Sequence, residues 1–253
     1  MCEKTRREIA LKARVLVAAH GSWDPGQLAT QPARRRPLAS DLFGFKAHFR
    51  NCGLPAGLMP LLAFPGGYGG MVHSDHGRIS LSCCIRRDRL ERCRRRDPSL
   101  SAGQAVLAHI IATCAPVRDV LDGAVVESDW RSAGPIRPGI RTTSRGRTFF
   151  VGNAAGEAHP VVAEGISMAM QSGLALAGSL TTCEGLAQAR QAYAADWHRL
   201  FARRIRTAAV IAHWAMRPAA VALTLPLLRA FPAVLTEGAR TSGKVTPICS
   251  PSF

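Results

Sequence analysis

The stretch Arg147–Gly165, RTFFVGNAAGEAHPVVAEG, decides the fold. Arg147–Val151 reads as a short buried strand that ends at Gly152. Beyond the loop Asn153–Ala163, the run Glu164–Leu180 carries Ile166, Met170, Gly173, Leu174 and Ala177 at helical spacing, so a helix follows. Its small residues Ala169, Ser172, Gly173 and Gly178 would let it lie close against a sheet. Strand, loop and helix in that order make a unit of an open α/β sheet, which places ligands at the carboxyl ends of its strands. Ala154, Ala155 and Gly156 would let a ligand approach the backbone, and Pro160 stiffens the loop. The free N–H groups near Glu164, Gly165 and Ile166 open the helix and favour negative charge there.

Working outward, Ala13–Ala19 (ARVLVAA) is a second apolar run, ended by His20-Gly21-Ser22, and reads as a buried strand entering a turn. It is expected to neighbour the Arg147 strand in one sheet. Between the two lie short strand candidates at Asp41–Phe49, Leu61–Phe64, Met71–His73 and Arg78–Ile85, with Ser74–Gly77 as a hairpin turn, and these read as one antiparallel sheet. Ser101–Cys114 reads as a helix stopped by Pro116, and Asp129–Ile140 as extended and turn-rich. A long helix is expected from Glu184 to about Met216, with Tyr193, Trp197, Leu200, Phe201 and Ile205 on its packed side.

Composition narrows the function. An apolar share of 47% over 253 residues indicates a folded chain. Net charge is +16, yet only four of the 33 basic residues are lysines. That arginine bias, without a zinc-finger, RNP or basic-zipper pattern, favours solvated basic loops at Arg86–Arg96 and Arg34–Arg36 over a nucleic-acid site. The eight cysteines show no metal-type CxxC pair and no secreted-domain framework, which points to a reducing cytoplasm and to no metal. In the pair Cys83-Cys84, strand alternation predicts one buried and one exposed side chain. No signal peptide is expected, because Met1–Arg7 is charged and no apolar h-region follows. The apolar stretch Ala208–Leu235 is broken by His213, Arg217, Pro218, Pro226, Arg229 and Pro232, a poor membrane span that leaves room for peripheral membrane contact.

The segment VGNAAGEAHPVVAEGISMAMQSG resembles the second FAD fingerprint of the flavoprotein superfamily that contains para-hydroxybenzoate hydroxylase, geranylgeranyl reductases and flavin-dependent halogenases. That fingerprint is a hydrophobic strand, GDAAG, a proline and a GEGI-like helix start, and the geranylgeranyl reductase branch is nearest in style. Gly152, Ala154, Ala155, Gly156, Pro160, Glu164, Gly165, Ile166, Ser172 and Gly173 match. Asn153 stands where the family has an acidic residue that holds ribityl or ribose hydroxyls, and His20 where the hydroxylases carry the Asp of an ADG motif. LLAFPGGYGGMV resembles the Phe-Pro element of the reductases' substrate sheet. The matches run in the family's order over about Ala13–Ala177. Nothing matches the GxGxxG loop that grips the ADP half of FAD, so an N-terminally truncated member is the expectation.

The resemblance implies an α/β fold: a partial three-layer FAD-binding domain interrupted by an antiparallel substrate-domain sheet, with C-terminal helices. The expected parts are residues 1–40 (strand and turn of the FAD domain), 41–140 (substrate sheet with a helix), 141–182 (second FAD-contacting segment) and 183–253 (helical). It implies FAD as cofactor, held by Gly152, Asn153, Ala154, Ala155, Pro160, Glu164, Gly165 and Ile166, with NAD(P)H as a candidate electron donor. Phe64, Pro65, Tyr68, Lys46 and His48 are candidate substrate contacts, and His159 is a functional candidate within the loop. The implied activity is reduction or monooxygenation of a hydrophobic or aromatic small molecule, and no residue is singled out as catalytic. No halogenase-type WxWxIP is present. The alternatives are a non-catalytic remnant or scaffold that has lost flavin binding, and a basic nucleic-acid-binding protein.

Overall fold

The structure is a computed structural model and describes residues 12–21, 30–31, 36–234 and 237. Arg34 and Arg35 of the second basic cluster lie outside them. The strands are β1 (Leu16–Ala18), β2 (Leu42–Arg50), β3 (Leu61–Phe64), β4 (Gly67–Ser74), β5 (Arg78–Arg86), β6 (Val125–Val126), β7 (Arg131–Ile136), β8 (Gly139–Ile140), β9 (Ser144–Arg145), β10 (Thr148–Phe150) and β11 (Gly156–Glu157). The helices are α1 (Arg87–Arg96), α2 (Ala102–Thr113), α3 (Ala115–Val120), α4 (Gly165–Thr182), α5 (Leu186–Ala215) and α6 (Pro218–Ala230).

The first strand and the Arg147 strand are neighbours, as expected. β1 runs parallel to β10 with Leu16 opposite Thr148 and Ala18 opposite Phe150, in a small sheet ordered β1-β10-β9. The first apolar run is less buried than its composition suggests. Only Ala18 of β1 is buried, and Leu16 is 52% exposed, because β1 forms the edge of that sheet.

The middle of the chain forms the expected antiparallel sheet, ordered β3-β4-β5-β2-β6, with β7 also pairing β2. One face packs Phe45, Phe49, Phe64, Met71, Leu81 and Ile85 against the helices that follow. There α2 is set by a capping box in which Ser101 Oγ accepts the Gln104 N–H while Gln104 Oε1 accepts the Ser101 N–H. Pro116 does not simply end that helix but sits in the first turn of α3, where its absent N–H costs nothing. Both Cys83 and Cys84 are buried, correcting the expected alternation: Cys83 faces the α2 side, and the end of α5 covers Cys84 on the other.

A further correction concerns a helix. The arginine cluster is the helix α1, not a loop: Leu90 and Cys93, three apart, are buried and anchor it. In α4 the larger apolar residues that mark the helical spacing lie outside. Ile166 is 82% exposed and Met170 and Leu174 are exposed, whereas Met168, Ser172, Leu176 and Ser179 face inward. Close approach favours the small face, which sets Ser172 Oγ 2.7 Å from the Gly152 N–H. α5 is the long helix expected, burying Tyr193, Trp197, Phe201 and Ile205 against Phe149, Phe150 and Ala155. α6, within the C-terminal region expected to be helical, is tied to α5 by Trp214 Nε1 donating to Thr224 Oγ1 at 2.8 Å.

Candidate functional site

The loop after β10 begins with Gly152 in the left-handed region (φ +57°), where a Cβ would also lie 3.2 Å from that of Ala169. Glycine therefore serves both the turn and the closeness of α4. Gly152–Ala154 forms one 3-10 turn, and β11 then pairs with β8, Gly156 opposite Ile140. Ala154 and Ala155 are buried in the core beneath the loop. Pro160 opens a second 3-10 turn, which Ala163 closes with φ +52°. Glu164 precedes α4 without capping it through its side chain; its buried carboxylate instead accepts from Arg204 Nη1 on α5 at 3.4 Å. The first bond of the α4 ladder runs from Met168 N–H to the Glu164 carbonyl. The preceding N–H groups lie at the helix start, beside open space at Gly165 and the exposed Ile166.

A chain of polar groups ties this loop to the six-stranded sheet, and the sequence reading missed it. Asp41 is buried just before β2 and receives Arg137 Nε at 2.6 Å and Nη2 at 2.8 Å. That fork holds the Asp41 carboxyl below its ordinary range. Arg141 donates to the Arg137 carbonyl (2.7 Å), the Asn153 carbonyl (2.9 Å) and Glu157 Oε2 (3.3 Å). The other oxygen of the buried Glu157 accepts Asn153 Nδ2 at 3.2 Å. Asn153 is thus more than a turn residue: its amide is held by a carboxylate four positions on. The signal lay in Arg137, Arg141 and Glu157, basic and acidic side chains flanking the fingerprint.

The second junction is aromatic. Tyr68 is buried on β4, and its hydroxyl lies 3.3 Å from His159 Nδ1. The His213 ring from α5 stands edge-on to His159 with centroids 5.5 Å apart. Burial, with the charge of His213 second, pushes the His159 imidazole down to about 4. Burial likewise raises the Tyr68 phenol, and lifts the Cys84 thiol opposite it on β5 to about 12. At neutral pH these groups carry no charge, and they are buried where the end of α5 packs on the sheet.

Of the residues proposed to meet a substrate, only Tyr68 reaches the loop. Phe64 packs on the opposite face, edge-on to His109, and the Pro65 carbonyl meets His109 Nε2 at 3.0 Å. Lys46 is exposed on β2, and His48 Nδ1 pairs with Ser80 Oγ at 2.8 Å, its ring held below its ordinary range by burial.

Neither a protein-family model nor a curated protein sequence matches the chain. Among solved structures, the flavin-dependent brominase Bmp2 matches over 95% of this chain and 60% of its own, with TM-score 0.69 and 16% identity. The myxobacterial chondrochloren halogenase CndH, described as an FAD-dependent halogenase, matches over 93% of this chain and 56% of its own, with TM-score 0.62 and 18% identity. Klebsiella pneumoniae HpxO, solved with FAD and uric acid, matches over 92% and 61%, with TM-score 0.60 and 16% identity. The chain spans about three fifths of the length of these proteins. At such identities the likeness is one of fold, and the chain has the mixed α/β fold, with antiparallel sheets and C-terminal helices, of FAD-dependent monooxygenases and halogenases.

Proposed function

We propose that the chain binds the flavin half of FAD at the Gly152–Ile166 loop and supports flavin redox chemistry on a hydrophobic or aromatic small molecule. The observation that carries this reading is the loop itself. A strand parallel to β1 delivers Gly152 to a turn that leads into an 18-residue helix whose first N–H groups stand beside open space. Those groups suit the negative charge of a reduced flavin ring. The Gly152–Ala155 backbone, Pro160 and Gly165 would line the ring, and Asn153 would stand near its polyol chain.

Bound flavin would supply electron transfer, with NAD(P)H as the proposed donor, and the protein would supply position and exclusion of water. Tyr68 and His159, buried and paired with each other, would hold the loop against the substrate-side sheet. Reduction, hydroxylation and halogenation share this scaffold, and the fold does not choose among them. The absence of WxWxIP favours the first two. The six described cysteines are all free, which suits the cytoplasm we propose as its setting.

One observation favours the non-catalytic alternative. The Asn153 amide is already engaged by Glu157, so it has less to offer a cofactor hydroxyl than a free carboxylate would. Titrating the folded chain with FAD, and reading flavin fluorescence and the bound-flavin absorbance band, separates the two. Saturable quenching is expected; a folded chain that leaves FAD fluorescence unchanged would sink the flavoprotein reading.

A further inference from the structure

The helix α6 is apolar on both its inward and its outward face. Its half-buried side chains, Ala220, Val221, Thr224 and Leu228, recur at helical spacing and face the rest of the chain. The outward face is Ala219, Ala222, Leu223, Pro226, Leu227 and Ala230, and its one polar side chain is Arg229 in the last turn. Leu223 is 82% exposed, and Leu225, Leu227 and Phe231 are exposed around it. An ordinary amphipathic surface helix carries polar side chains on its outward face. α6 lies against β3, where Leu58, Met59 and Leu61 are exposed as well, so the apolar surface continues from the helix onto the sheet edge.

Cations flank the helix at both ends. Arg217 caps α6 at its start and Arg229 sits in its last turn, both exposed. At 13 residues α6 is only about 20 Å long, short of the roughly 30 Å hydrocarbon core of a bilayer. Among the described residues no single helix is long and apolar enough to cross one, and α5 and α6 meet at a bend of 104°.

We propose that α6 and the adjoining Leu58–Leu61 edge are a docking surface for an anionic lipid bilayer, with α6 lying in the interfacial plane. Leu223, Leu227 and Phe231 enter the acyl boundary while Arg217 and Arg229 meet lipid phosphates. A second copy of the chain could also cover an apolar face. It would set Arg217 and Arg229 of one copy near those of the other, whereas anionic headgroups match both the apolar face and the cations that flank it.

The test is sedimentation of the purified full chain with vesicles of phosphatidylcholine alone and of phosphatidylcholine mixed with phosphatidylglycerol. The chain is expected to pellet several-fold more with the anionic vesicles, and less so in high salt. The variant L223E/L227E should stay in the supernatant with an unchanged circular dichroism spectrum, since both side chains point outward. M170E, which charges an equally exposed apolar side chain on α4, should pellet like the parent. Failure to pellet, equal pelleting with both vesicle types, or equal loss in M170E would overturn the proposal. So would a dimer, seen by light scattering, that L223E/L227E dissolves.

Discussion

The Tyr68 hydroxyl on β4 and His159 Nδ1 in the loop after β10 meet at 3.3 Å, and both side chains are buried. The pair fixes the loop to the six-stranded sheet, and its cost appears as pH dependence. His159 titrates near its ordinary value of 6.5 when unfolded but near 4 when folded, chiefly because of burial. Between those values the unfolded chain binds a proton that the folded chain does not, so stability falls as pH drops through this window. At neutral pH this contribution is intact. Relative to H159Q, the parent should lose on the order of 2 kcal/mol between pH 7 and pH 4.5 in urea unfolding. Parallel pH profiles for the two proteins would remove His159 as the cause.

The Asn153–Glu157 contact makes an unusual prediction for the substitution that would restore the family's acidic residue. N153D would set a carboxylate about 3 Å from the buried Glu157 carboxylate, with Arg141 left to serve both. Thermal melting at pH 8 should show a loss of roughly 1–2 kcal/mol, which shrinks as pH falls and one carboxyl takes up a proton. N153D/E157Q should recover most of it and bind FAD more tightly than the parent. Melting of N153D unchanged at pH 8 would contradict the coupling.

The sequence made the strand, loop and helix around Gly152 legible because glycine, proline and an apolar run punctuate them at short range. That β1 and β10 are neighbours followed from the order of the matched segments, although about 130 residues separate the strands. What escaped was decided by partners distant in the chain. The small residues of α4 announced its close packing through Ser172, but periodicity could not say that Ile166, Met170 and Leu174 stay outside. The Arg87–Arg96 helix hides because only Leu90 and Cys93 of its ten residues are apolar. The Asp41–Arg137–Arg141–Glu157 chain joins residues up to 116 positions apart, and no local pattern announces it.

Glu164 and Arg204 form a buried pair between the start of α4 and the middle of α5, with Gln171 Oε1 as a further acceptor for Arg204 at 3.4 Å. Removing one charge strands the other. R204M should cost about 3 kcal/mol in urea unfolding, and E164Q a similar amount. E164Q/R204M should cost clearly less than the two added, and that non-additivity is the measurement. If the losses add, the helices are held by packing around Trp197 and Phe201 and the ion pair contributes little.

Gly156 tests which side of the loop a small residue serves. A Cβ there would lie 2.5 Å from the Trp197 ring and 3.3 Å from the Gly139 carbonyl, so the absent side chain makes room for α5 and not for a ligand. G156A should destabilise by roughly 1–3 kcal/mol through overpacking, read as a lower urea midpoint with an unchanged slope. W197F removes the ring atoms that clash, so G156A/W197F should be more stable than the sum of the single changes predicts. The folded double variant should then bind FAD as W197F does. If it folds and has lost FAD while W197F retains it, Gly156 faces the cofactor, and the packing account of this position is wrong.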